Sequence, residues 1–123
     1  MSEVLRHTHP LPATPDRVWA VLSDVLAWPR WLPTVSAVHP EDPGAPPGVG
    51  ARYAVRQPRL GTATWQVTDW RPDRGFVWVS RRPGVRSTAT HELTALGPDS
   101  TLLTLAIGWS GPWPAPPEPP TAG

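Results

Sequence analysis

The 123 residues contain no cysteine, which excludes disulfides, thiol nucleophiles and cysteine-ligated metal sites. Lysine is absent as well, and all 11 basic residues are arginine. A formal net charge of +1 leaves no global field of either sign, so no nucleic-acid partner is expected. No apolar run reaches the ~18 residues of a membrane-spanning helix. The first residues lack the basic and then apolar pattern of a secretory signal. A soluble, cytoplasmic protein is the expectation. Also missing are a glycine-rich phosphate loop, a G-x-S-x-G elbow and a paired-carboxylate constellation. No cofactor is therefore expected.

What the chain does have is tryptophan: eight, against one phenylalanine and one tyrosine. The indole ring is large and flat, and it carries one N–H that must be satisfied when buried. Such rings either fill a core or line a cavity for flat, greasy molecules, and composition alone leaves both open. Proline is the other excess, at 19 residues. Six of them fall in residues 111–123, where they rule out a helix interior because proline lacks a donor and clashes with the preceding turn. The expectation is one domain over residues 1–110 followed by a disordered, proline-rich tail at 111–123.

Along the chain, residues 3–9 read as a short extended segment stopped by Pro10 and Pro12. Thr14-Pro15-Asp16 is a helix start, with a hydroxyl N-cap, proline at the first helical position and an acid in the first turn. Val18, Val21, Leu22 and Val25 then recur at helical spacing with Trp19 beside them. Pro29 limits residues 27–32 to a short second helix or turn. Beyond this the period becomes two, with strands expected at 35–39, 50–57, 62–71, 76–80, 85–96 and 101–109. The links at 72–75, 83–84 and 97–99 are of hairpin length, so the late strands form an antiparallel meander. Such a sheet has one buried face that something must cover.

Several motifs, weak singly, agree in order and spacing. They are Pro15-Asp16-Arg17-Val18-Trp19, then Asp24 with Trp28-Pro29 and Trp31-Leu32-Pro33, then Gly48-Val49-Gly50. Trp65 to Trp70, with Pro72 and Phe76-Val77-Trp78, continues the series, and His91-Glu92-Leu93 and residues 101–107 complete it. Together they resemble the SRPBCC superfamily, which includes the START domains and the polyketide cyclase/dehydrase and lipid-transport family. The resemblance implies an α+β helix-grip (START-like) fold: a curved seven-stranded antiparallel sheet with two short N-terminal helices. The family's long C-terminal helix, which would form one wall of the cavity, is expected to be absent.

The resemblance also directs attention to the inward face of the sheet. By alternation the expected pocket residues are Tyr53, Val55, Trp65, Val67, Trp78, His91, Leu103, Leu105 and Ile107, an apolar and aromatic lining of the kind small-molecule sites use. Plain core packing is the competing reading for each. His91 sits among small residues. It is the candidate acid or base, or else a hydrogen-bonded structural histidine. Arg56, Arg82 and Arg86 are expected at the rim, and with Arg81 they could greet an anionic head group. His7 and His9 share a strand face without a third ligand, so no metal is expected. Three functions stay open: carriage of a small hydrophobic ligand, an aromatase/cyclase-like enzyme using Tyr53, Arg56 and His91, and a protein-interaction module. An uncovered concave face would also expose enough apolar surface to favour a homodimer.

Overall fold

The computed structural model describes residues 2–110, with side chains from residue 5 onward. The order is β1 (Ser2–Leu11), α1 (Pro15–Leu22), a 3₁₀ helix (Val25–Arg30), β2 (Ala37–Pro40), β3 (Arg52–Gln57), β4 (Gly61–Arg71), β5 (Gly75–Arg82), β6 (Val85–Gly97) and β7 (Ser100–Ser110). The strands form one antiparallel seven-stranded sheet in the order β1-β7-β6-β5-β4-β3-β2. Strands β2 to β7 are therefore a continuous meander, and β1 closes onto its last member. Among the described residues there is no helix between residues 50 and 110, no long helix anywhere, and none apolar enough to cross a membrane. The expectations of a disordered tail and of a missing C-terminal helix concern residues 111–123, which lie outside the described residues.

Three local expectations need correction. β1 does not stop at His9: it runs through Pro10, opposite Leu102, to Leu11. Proline is tolerated there because β1 is an edge strand. Thr14 occupies the N-cap position, but its hydroxyl caps no backbone N–H. It bonds the Asp16 side chain instead, and this contact is the main reason the Asp16 carboxyl titrates below its ordinary value. Val21, assigned to the helix stripe, is 54% exposed, because only Val18 and Leu22 of α1 face the sheet.

Two devices shape the sheet. A bulge between Val67 and Asp69 in β4 resets the alternation, so Trp70 faces the same side as its partner Phe76. Their rings lie 5.4 Å apart. Simple period-two counting from Trp65 would have put Trp70 on the opposite face. Gly75, at φ 136°, lies against the neighbouring strand so closely that a Cβ would collide with the His91 carbonyl. Only glycine fits there.

The core lies where α1 and the 3₁₀ helix meet the concave face. Phe76 and Val67 are each 1% exposed and Trp28 is 5% exposed. Burying side chains of this size stabilises the fold by roughly 2 kcal/mol each. The Trp28 indole N–H donates to the Leu22 carbonyl at 3.0 Å, so this large ring is buried without an orphan donor. The fully buried Thr101 hydroxyl donates to the Ala13 carbonyl at 2.7 Å, fastening the entry to α1 onto β7.

Candidate functional site

Residues directly opposite in an antiparallel ladder share a face, and this defines the concave surface strand by strand. Trp78 opposes Ala89, which opposes Ile107; Phe76 opposes His91, which opposes Leu105. On the other flank Val67 opposes Trp78, and Tyr53 opposes Trp65. All nine expected pocket residues thus share one face. They do not share one environment.

Tyr53, Val55, Val67, Trp78 and His91 are buried in the core beneath α1 and the 3₁₀ helix. Trp28 supplies the filling: its ring lies 5.2 Å from Trp78, 5.6 Å from His91 and 6.1 Å from Phe76. Burial pushes the Tyr53 phenol above its ordinary pKa. His91 is stacked on Phe76 at 4.1 Å and meets Trp78 edge-on at 5.6 Å. Its Nδ1 lies 3.2 Å from the Phe76 carbonyl, an acceptor, so Nδ1 carries the proton and donates it. Burial lowers the His91 pKa to about 4, against the smaller opposing effect of that hydrogen bond. At neutral pH this imidazole is uncharged, with its Nδ1 proton committed to a structural bond.

The other half of the face is open. A groove of about 430 Å³ runs between the β3–β4 and β5–β6 hairpins and β7. Its apolar walls include Trp65, Ile107 and Trp109, while Gln57, Ser80, Ser87 and Arg82 supply its polar side chains. Leu103, Leu105 and Ile107 are half-buried along β7. Of the expected rim residues only Arg82 lines the groove. Arg56 and Arg86 alternate onto the convex face, next to the inward-facing Val55 and Ser87. His7 and His9 register with Leu105 and Leu103 and so sit on the concave side, exposed, with ring centroids 6.5 Å apart. Among the described residues no group of three or more His, Cys, Asp or Glu could hold a metal ion.

Two participants, Trp28 and Ser80, escaped the sequence reading of the pocket face. Trp28 lies in an aperiodic turn and carries no facing signal, although its motif was visible. Ser80 and Ser87 face each other across β5 and β6. Alternation already puts Ser87 on the His91 face, and counting on from Trp78 reaches Ser80.

A curved antiparallel sheet gripping a short helical layer is the START-like, helix-grip architecture. The fold is shared with a START superfamily protein from Mycobacterium smegmatis, at 18% identity and TM-score 0.71, covering 94% of this chain and 81% of that one. An aromatase/cyclase from a Streptomyces species matches at 22% identity and TM-score 0.70, covering 90% and 69%. Norcoclaurine synthase from Thalictrum flavum matches at 17% identity and TM-score 0.69, covering 88% and 70%. No curated protein matches the chain. Over residues 3–123 the chain belongs to the polyketide cyclase / dehydrase and lipid transport family.

Proposed function

We propose that this protein binds a small, flat, hydrophobic molecule in the open half of its concave face. The observation that carries the reading is the groove of about 430 Å³ walled by Trp65, Ile107 and Trp109. Its volume lies within the roughly 300–1,000 Å³ range of ligand pockets, and its lining is apolar with few polar groups. Membership in a family described as polyketide cyclase / dehydrase and lipid transport is consistent with such a ligand. A cyclase activity is the alternative, supported by Ser80, Ser87 and Arg82 projecting into the same space. It would have to run without His91 as a general acid, since that histidine is neutral and its one N–H is already bonded.

Titration with N-phenyl-1-naphthylamine, an uncharged fluorescent hydrophobe, tests the proposal. Saturable binding is expected, with energy transfer from tryptophan and at least roughly tenfold weaker affinity in Trp65→Ala. Binding that is absent, or indifferent to Trp65, removes the reading and leaves a protein-interaction module as the better account. Turnover of a poly-β-ketone substrate that disappears in Ser87→Ala would establish the cyclase alternative. A homodimer closed over this face would compete with the dye, so sedimentation across a protein concentration series accompanies the titration.

A further inference from the structure

Charge is distributed unevenly between the two ends of the sheet. The β3–β4 and β5–β6 hairpins lie at the same end, beside the groove, and residues 56–61 and 81–86 carry five arginines and no acid. At the other end, residues 69–74 balance Asp69 and Asp73 against Arg71 and Arg74, and Asp69 pairs with Arg71 at 3.2 Å. The five arginines are all exposed, and among the described residues none of them has an ion-pair partner. By register Glu3 reaches the groove end, but on the edge strand, across from Gly108. Among the described residues the groove lining itself holds Arg82 and no carboxylate.

Two further features weigh against these arginines being a neutral choice for folding. Arg81 and Arg86 stand directly opposite each other on the convex face, and like charges so placed are destabilising. Arg59 holds φ 72°, a left-handed conformation that glycine or asparagine adopts with less strain. These two hairpins thus keep positive charge that no described residue pairs, at some cost to the fold, beside an apolar groove.

Resting on the groove as the binding site, we infer that its ligand is an anionic amphipath. The flat hydrophobic body lies against Trp65 and Trp109, and a carboxylate or phosphate group is held by Arg82. A guanidinium fork matches the paired oxygens of either group, and a charge-assisted pair is stronger than a neutral hydrogen bond. The other four arginines act at longer range. Arg56, Arg81 and Arg86 lie on the far face, so they contribute attraction that salt screens rather than contact.

Two dyes with one ring system separate this inference from the reading beneath it. N-phenyl-1-naphthylamine is uncharged; 8-anilino-1-naphthalenesulfonate adds an anion to the same skeleton. Both are expected to bind the full chain and displace one another, with the sulfonate roughly tenfold tighter at low ionic strength. That preference should shrink in about 0.5 M salt and in Arg82→Gln, and persist in Arg74→Gln at the opposite end. Displacement of the uncharged dye by 2-naphthoate or 2-naphthyl phosphate, better than by 2-naphthol, tells carboxylate from phosphate. Arg59→Gly should raise the melting temperature while lowering the sulfonate preference. Equal affinity for the two dyes, or a preference untouched by Arg82→Gln, overturns the anion assignment while the groove reading stands. If the uncharged dye does not bind at all, the groove reading itself fails.

Discussion

At the helix-covered end of the concave face, Trp28 packs against Phe76, Trp78 and His91, and none of these four is more than 8% exposed. At the hairpin end, Trp65 and Ile107 of the same sheet stay half-buried around an open groove. Both ends draw tryptophans from alternating strands, and cross-strand pairing places them on one surface. What separates them is the layer above. α1 and the 3₁₀ helix reach only one end, so identical strand chemistry becomes core under the helices and pocket beyond them. Aromatic enrichment on a sheet face therefore does not distinguish a core from a binding site.

The sharpest way to break this comparison is Trp28→Ala. Removing the ring that fills the covered end should cost about 3–5 kcal/mol, the range for emptying a buried tryptophan site. Urea denaturation measures it, and a loss below about 1 kcal/mol would mean that the covered end is not close-packed.

The covered end should also reveal itself through pH. His91 titrates at about 4 when folded against 6.5 when exposed, so between those values the unfolded chain binds the proton that the folded chain refuses. The associated stability is fully present above pH 6.5 and is lost as pH falls toward 4. The whole window is worth about 3 kcal/mol. Denaturation midpoints measured across it should slope downward with acid, and His91→Leu should flatten that slope. A wild-type profile as flat as that of the variant would place His91 in contact with water rather than inside the aromatic cluster.

The smallest expected effect belongs to the open end. Trp65→Ala should cost about 1 kcal/mol of stability, because the half-buried ring leaves little new cavity, yet it should weaken dye binding strongly. A stability loss matching that of Trp28→Ala would erase the distinction between the two ends.

The parts of the fold that were legible are those governed by short-range rules. Pro15 after Thr14 marked the start of α1, and alternation with hairpin-length links marked β3 to β7. Inward and outward residues of β6 and β7 followed directly from counting by two. Legibility failed where an element's surroundings overrode its local signal. Pro10 is harmless only because β1 is an edge, and edge status is a property of the assembled sheet. Trp70 faces inward only because a bulge in β4 shifts the count. Arg56 and Arg86 were grouped with Arg82 by charge, whereas the pleat sends them to the opposite face.

The candidate site divides in the same way. Sequence identified one face and its residues, and flagged both readings of His91. It could not say which of the nine residues lie beneath Trp28, since an aperiodic turn holds no information about the ring it will cover. By itself, then, the sequence determined the antiparallel meander of the late strands and its apolar inner surface, because period-two alternation and turn residues act over a few neighbours. Tertiary structure alone decided that Tyr53, Val67, Trp78 and His91 are sealed while Trp65 and Ile107 stay half-buried beside a groove, because burial depends on how far α1 and the 3₁₀ helix extend across strands distant in the chain. The arginine-rich rim shows both contributions. Its residues are plain in the sequence, but only strand pairing gathers the two hairpins at one end of the sheet.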